Sequence, residues 1–316
     1  MRLDIVCRLD FFSDSLVMIV DPLAEIVTLL RPAARYSKFV ECAGAWRIRR
    51  EATGEPFYCA ILEGSCRVTF GDNQPFVLQA GDFVLAPAVG DLINESDGAP
   101  AGLPTTLPTQ VGEGHVRVGR IDGPADLRMR IGHCSFGAPD AALLVSLLPD
   151  VIVVRDQPRL ATLMQLVAEE TRAERPARNL VLERLLEVLL IEALRSGTQT
   201  STAPGLGRGL ADERLATALH ALHARPNHNW TIADLAGEAA MSRSAFFARF
   251  HRIVGIPPME YLLTWRMALA KQLLRAGEVG MDQVAERVGY GSVSAFSVAF
   301  TRHAGIPPAR YARSHH

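Results

Sequence analysis

The period of apolar and polar positions changes several times along the chain. After Asp21-Pro22, the residues Leu23, Ile26, Val27 and Leu30 recur at helical spacing, which predicts a short amphipathic helix over 21–30. From Tyr36 to about Phe136 the pattern turns into short β-rich runs: Ala45–Arg50, Phe57–Glu63, Cys66–Phe70, Phe76–Gln79, Phe83–Ala86, Val116–Ile121 and Arg128–Cys134. Gly54, Gly64, Gly71-Asp72-Asn73 and Gly81-Asp82 mark the turns between them, and many short strands at this spacing predict a sandwich or barrel. The interval Asn94–Glu113 is rich in Gly, Pro, Ser and Thr and lacks a period, so it reads as a long surface loop, either a pocket cover or slack. From Pro139 onward helical spacing returns, at Ala141–Leu148, Pro158–Arg172 and Asn179–Arg195. The last of these carries a broad stripe of Leu182, Leu185, Leu186, Leu189, Leu190 and Ala193. Two covers for that stripe stay open: the first helices of the same chain, or a second subunit. Gly197–Gly209 then reads as a polar linker.

The last hundred residues contain an internal duplication. Ile232–Tyr261 and Met281–Tyr311 share S-A-F at Ser244–Phe246 and Ser294–Phe296, a second aromatic at Phe250 and Phe300, and G-I-P-P beginning at Gly255 and Gly305. They differ by one residue within the turn. In the first copy Ile232, Leu235, Ala236 and Ala239 make the inner stripe of a short helix, and Met241 lies in the turn. Ser242 is placed to cap a second helix, whose Phe246, Phe250 and Ile253 face inward. Met281, Val284, Ala285 and Val288 repeat that stripe in the second copy, with Gly289 and Gly291 in the turn and Phe296 and Phe300 as anchors. Helix, tight turn, second helix is the helix-turn-helix arrangement, whose second helix can enter a major groove. A scaffold of stacked helical pairs is the alternative, but two copies separated by a long helix, Met259–Ala276, are few for a solenoid.

A 3.6-residue period centred on Phe246 turns Ser244, Ala248 and His251 outward, with Phe247 and Arg252 at the margins; Ser242 and Arg243 at the helix start are placed for phosphate. The same construction on the second copy selects Ser294, Val298 and Thr301, with Ser297 and Arg302 marginal and Ser292 as the cap. Neither Ala248 nor Val298 can make a bidentate bond to a base. Readout then rests on thymine methyls, on Ser, Thr and His hydrogen bonds and on DNA shape, which predicts relaxed specificity for one subunit and a need for dimerisation. Arg249 and Arg266 are read either as seam-covering side chains or as DNA ligands, and Trp265 as core.

With these residues in place, the segment resembles the DNA-binding domain of AraC/XylS-type regulators. The resemblance rests on Trp230-Thr231-Ile232, Asp234-Leu235-Ala236, Ser242-Arg243-Ser244, Gly255-Ile256-Pro257-Pro258, Tyr261 and Arg266-Met267 in the first copy. Val284-Ala285, Val288-Gly289-Tyr290, Phe296-Ser297, Phe300, Gly305, Pro307 and Tyr311 carry it in the second. It implies that a rigid helix holds two recognition helices toward successive major grooves of one duplex. Basic or amide side chains are common in that family at the positions of Ala248 and Val298, so this chain departs from it there.

The β-rich segment is similar to the cupin-type sensor domain that precedes many such DNA-binding domains, through Gly54-Glu55-Pro56-Phe57, Leu62-Glu63-Gly64-Ser65-Cys66, Leu78, Ala80-Gly81-Asp82 and Pro87. The expected fold is therefore multidomain α and β: an N-terminal cupin-like β-barrel followed by helices, then a C-terminal all-α tandem helix-turn-helix domain. The expected division is residues 1–136 as effector-sensing β-domain, 137–197 as helical connector and possible dimerisation region, 198–210 as linker, and 211–316 as DNA-binding domain. Enzymatic cupins hold a metal through histidines, and Tyr58 and Ala60 stand where two would be expected, so no metal, cofactor or catalytic residue is assigned. His115 and His133 each read as satisfied strand residues. Trp46, Phe57, Phe70 and Phe83 are the candidates to line an effector pocket in the barrel, or else to fill it.

Charge sharpens this division. The net charge of −1 splits into 20 basic and 26 acidic residues before Arg208, and 13 and 8 from Arg208 onward, where seven of the nine histidines also lie. Five scattered cysteines, Cys7, Cys42, Cys59, Cys66 and Cys134, form no C-x-x-C pair and fit a reducing cytoplasm, as space-filling thiols or, more weakly, a Cys59/Cys66 redox pair. No run suits a membrane span, and the N-terminal acidic residues make a poor signal peptide. The expected partners are double-stranded DNA, a small-molecule effector, a second copy of the chain and, for an activator, RNA polymerase. A cupin enzyme fused to a DNA-binding module and a constitutive DNA-binding protein are the rival readings.

Overall fold

The computed structural model describes residues 21–138, 141–172, 175–200 and 204–314; Cys7, His315 and His316 lie outside them. Helix α1 (Pro22–Leu30) starts where Asp21 accepts from the free N–H groups of Leu23 and Ala24, with Pro22 pre-set in the first turn. Ten strands follow: β1 (Pro32–Ala43), β2 (Arg47–Arg50), β3 (Phe57–Glu63), β4 (Ser65–Phe70), β5 (Phe76–Gln79), β6 (Phe83–Ala86), β7 (Leu92–Ser96), β8 (Thr109–Gly112), β9 (His115–Gly119) and β10 (Leu127–Phe136). Then come α2 (Ala141–Val145), β11 (Ile152–Val154), α3 (Pro158–Arg172), α4 (Arg178–Thr200), α5 (Leu206–Ala211) and α6 (Glu213–Ala224). The two C-terminal units are α7 (Ile232–Glu238) with α8 (Arg243–Val254), and α10 (Met281–Arg287) with α11 (Val293–Ala304). Helix α9 (Pro258–Ala276) joins them and α12 (Pro308–Arg313) follows the second.

The strands form two sheets, a seven-stranded one in the order β11-β6-β3-β10-β1-β9-β8 and a four-stranded one in the order β2-β7-β4-β5. Strand parity assigns the side chains. Phe57, Cys59 and Ile61 of β3 point between the sheets with Val40, Cys66, Val68, Phe70, Leu92 and Met129. Tyr58 and Ala60, the alternate residues of the same strand, point out of the sandwich and pack with Phe83, Leu85 and Cys134 against α1, α3 and α4. A strand buried on both faces must be apolar at every position, which is why Phe57–Ile61 does not alternate. Gly64 turns β3 into β4 at φ +78, where a Cβ would collide with the Asp126 carbonyl. The four described cysteines are buried and free, and burial pushes the Cys66 and Cys134 thiols up to about 12.

Several expectations change. The predicted loop 94–113 contains the end of β7 and all of β8, and its remainder is anchored: Thr106 and Arg47 exchange backbone and side-chain hydrogen bonds, and Pro108 lies over the space between the sheets. Strand β1 begins ahead of the first predicted run because Arg35, Lys38 and Glu41 interrupt its apolar residues and a bulge between Ala34 and Tyr36 breaks its alternation. The leucine stripe of α4 is covered by the chain itself, since Leu182, Leu186, Leu189, Leu190 and Ala193 share a core with α1 and the outer face of the large sheet. Of the expected linker, residues 201–203 lie outside the described part, while Leu206–Ala211 is a packed helix rather than slack. The Gly205 N–H donates to the Ile253 carbonyl, and the Leu206 N–H to that of Leu147.

Candidate nucleic-acid interface and N-terminal pocket

Each C-terminal unit is assembled by the same local rules. Thr231 and Asp234 cap α7 reciprocally, the Thr231 hydroxyl accepting from the Asp234 N–H while the Asp234 carboxylate accepts from the Thr231 N–H. The helix ends with Ala240 in the left-handed region and the Met241 N–H returning to the Ala236 carbonyl. In the second unit Gly289 takes the left-handed position, and the Tyr290 N–H returns to the Ala285 carbonyl. The extra residue, Gly291, falls just before Ser292. Ser242 and Ser292 then cap α8 and α11 by accepting from the Ala245 and Ala295 N–H groups at 3.4 and 3.1 Å. Gly255 and Gly305 close both helices at positive φ, and Pro257-Pro258 and Pro307-Pro308 start the next.

Phe246, Phe250, Phe296 and Phe300 anchor the two second helices in the core. On α8 the opposite face leaves Ser242, Arg243, Ser244, Phe247, Ala248, His251 and Arg252 exposed, and the Phe247 and His251 rings stack with centroids 6.3 Å apart. On α11, Ser292, Ser294, Val298 and Arg302 are exposed, while Ser297 and Thr301 are half-buried. Val298 is 62% exposed and Phe247 43%, large apolar side chains held out in water. The exposed Arg310 and Arg313 on α12 were missed by the sequence reading, although their spacing puts them on one helix face.

The two arginines read both ways from sequence are tied down. Arg249 donates from Nε and Nη2 to the Asp212 carboxylate at 2.8 and 2.5 Å, joining α8 to the cap of α6. Burial pushes the Asp212 carboxyl up, but the Arg249 bonds and the Leu215 N–H outweigh it and hold it below its usual value. Arg266 donates to the carbonyls of Pro226 and His228 at 2.7 and 2.8 Å, and burial lowers its pKa. Trp265 is fully buried.

In the N-terminal domain a cavity opens between the sheets, lined among others by Lys38, Val40, Arg50, Phe57, Asn94 and Met129. Its water-accessible volume is about 60 Å³, and it opens to solvent. Of the four aromatic candidates, only Phe57 lines this cavity. Trp46 and Phe70 fill the inter-sheet core away from it, and Phe83 faces the helices on the other side of the large sheet, because β6 presents alternate residues to opposite faces. The positions weighed for metal-binding histidines, 58 and 60, likewise face the helices; the inward positions of β3 hold Phe57, Cys59 and Ile61. Among the described residues no group of three or more His, Cys, Asp or Glu side chains is placed to hold a metal ion. Arg50 Nη1 lies 2.7 Å from His133 Nε2. An arginine only donates, so that ring nitrogen accepts and His133 is neutral with its proton on Nδ1.

A cupin-like sandwich followed by two helix-turn-helix units defines a DNA-binding regulator with an appended cupin domain. Residues 21–199 match the family described as Cupin, and residues 235–314 match that described as Helix-turn-helix domain. The chain is 35% identical to an AraC-like transcription regulator of Streptomyces lividans over 92% of its own length and 97% of that protein's. It is also 35% identical to one of Streptomyces antibioticus, over 92% and 98%. Among solved structures, ToxT from Vibrio cholerae aligns over 89% of this chain and 96% of that one at 13% identity, with a TM-score of 0.36. The chain belongs to the AraC-like transcription regulators. No helix among the described residues is long and apolar enough to cross a membrane.

Proposed function

We propose that the chain is a sequence-specific regulator that reads DNA with the exposed faces of α8 and α11 and is controlled by a small molecule held in the N-terminal domain. The observation that carries the first half is the matched exposure of Ser244, Phe247, Ala248 and His251 on one helix and Ser294, Val298 and Arg302 on the other, each opposite a pair of buried phenylalanines. The caps Ser242 and Ser292 keep their hydroxyl protons free to donate to phosphate, Ser242 with Arg243 next to it, while Arg302 lies in the last turn of α11. Phe247 and Val298 suit thymine methyl groups. Because one subunit has few base-specific hydrogen-bonding groups, a second copy supplies the remaining discrimination, in the cytoplasm, where an activator also meets RNA polymerase. The working division is 1–136 for effector sensing, 137–210 for connection and 211–316 for DNA.

Control by an effector is supported by packing. The core that contains Leu23, Leu186 and Leu190 continues without a break through Leu206, Leu219, Phe246 and Trp265, so the N-terminal helices and the first DNA-binding unit share one interior. Selection of bound fragments from the host genome, followed by footprinting, tests the reading. The expected result is two protected stretches per subunit, about one helical turn apart, with salt-sensitive affinity. A full-length chain with no salt-sensitive affinity for any duplex overturns it.

A further inference from the structure

We infer that the cavity between the two sheets binds a small monocarboxylate with an apolar body and a hydroxyl donor at its far end. The inference rests on the reading of the N-terminal domain as the effector site and names the chemistry that site selects. Three features of the lining lead to it.

The first is charge. Lys38 of β1 and Arg50 of β2 reach the cavity from opposite sheets, and among the described residues neither has a carboxylate within ion-pair distance. The other cations of these two strands are neutralised: Arg35 pairs with Glu55, Arg47 with Glu95 and Arg49 with Asp91. His133 is no counter-ion, since it is neutral and accepts from Arg50. Two cations held at an apolar wall leave room for one anion, and a guanidinium beside an ammonium suits a carboxylate.

The second is an orphan acceptor. Asn94 lines the same cavity, and its side-chain oxygen is buried without a hydrogen-bond partner, while its amide nitrogen lies 3.9 Å from the Met129 sulfur. A buried acceptor left unmade is costly, and a hydroxyl on the ligand satisfies it. The third is spacing. Arg50 lies opposite Leu92, and Ile48 opposite Asn94, so the charged and polar groups are one strand repeat apart in the small sheet. In the large sheet the His133 and Met129 positions that they face are two repeats apart. Carboxylate and donor should therefore be separated by roughly 7–13 Å. Val40, Val116, Val118 and Ile131 wall the space between.

Isothermal titration of the full-length chain with four matched probes tests this: 3-(4-hydroxyphenyl)propanoate, 3-phenylpropanoate, 4-propylphenol and propylbenzene. The hydroxy acid is expected to bind about tenfold tighter than either singly substituted probe, the worth of one hydrogen bond to a charged group or one orphan satisfied. Arg50→Gln, whose amide can still donate to His133, and Lys38→Met should each reduce the acid's advantage over the phenol. Asn94→Leu should abolish only the advantage of the hydroxy acid over the plain acid. Arg49→Gln, on the outer face of the same strand, should change neither. Equal binding of acid and phenol, selectivity that survives Arg50→Gln and Lys38→Met, or no binding by any probe overturns the inference. A parallel DNA-binding titration separates the two readings. Selective binding with no effect on DNA affinity removes effector control and leaves the pocket assignment, while DNA binding with no selectivity in the pocket does the reverse.

Discussion

Arg249 and Arg252 sit three residues apart on one helix and do different work, because only one has a buried carboxylate to meet. Arg249→Met should strip Asp212 of its partner and destabilise the chain by about 1 kcal/mol in urea, the pair being partly screened by solvent, without altering the order of preference among DNA sequences. Arg252 is exposed, and Arg252→Ala should leave the urea midpoint in place while weakening binding to all duplexes and reducing the salt slope by about one. Ser244→Ala should instead change preference at particular bases, and equal, sequence-independent losses from Ser244→Ala and Arg252→Ala would reject this groove face. His133 gives a prediction in pH. Burial, then the charges of Arg50, Lys38 and Arg35, lower its pKa from 6.5 to about 4. Between those values the unfolded chain binds a proton that the folded chain does not. The stability present above pH 6.5 is therefore lost as pH falls toward 4, by up to about 3 kcal/mol. Urea midpoints should converge for wild type and His133→Gln as pH drops from 7 to 4.5; a constant gap would show that His133 does not titrate in the fold.

At the scale of elements, the two turns solve one steric problem with different residues. Both need a left-handed residue after the first helix; Gly289 fills the place at φ +80, while Ala240 sits at φ +49 against its preference. Ala240→Gly should stabilise the first unit by up to about 1 kcal/mol, the relief of strain exceeding the added freedom of the unfolded chain. Gly289→Ala should cost about 2 kcal/mol or more, since its Cβ would lie 2.5 Å from Arg266 Nη2 and 3.1 Å from the Asn227 Cα. Thermal unfolding of the two variants checks both signs. These turns were legible in the sequence because each is fixed by residues adjacent in the chain: a capping serine, an aromatic four residues later, a closing glycine. The same holds for α1 and its Asp21 cap. The N-terminal pocket was not legible in that way. Phe83 and Phe57 look alike as aromatic residues opening short strands, and only the pairing of β6 between β3 and β11 decides that Phe83 turns toward the helices. Lys38, Arg50 and Asn94 are not among the pocket candidates drawn from the sequence, although Arg50 shares the parity of Ile48 in β2, a local sign that it points inward.

At the scale of the whole molecule, the division into sensor and reader does not coincide with the division of the core. The second unit has an interior of its own, built on Met267, Leu274, Val284, Phe296, Phe300 and Tyr311. The first shares its interior with α1, α2 and α4. At the centre of the shared part His223 of α6 is buried, its Nδ1–H donating to Glu25 of α1 and its Nε2 accepting from the Tyr261 hydroxyl of α9, both at 2.8 Å. Its ring centroid lies 4.2 Å from that of Trp265. Burial lowers the His223 pKa, with Glu25 opposing, so the ring stays neutral and each nitrogen has one role. Glu25 thus fastens the N-terminal helix to the scaffold of the first recognition helix, while the second recognition helix has no share in that contact. A movement of α1 relative to the sheet is passed to the first unit directly through this contact. Glu25→Ala removes the carboxylate that meets the His223 N–H, and hydrogen exchange should speed up in α1, α6 and the N-terminal half of α9 while α10 and α11 keep their protection. Uniform loss of protection across both units would mean that the C-terminal region opens as one body, and that coupling through α1 cannot distinguish the two recognition helices.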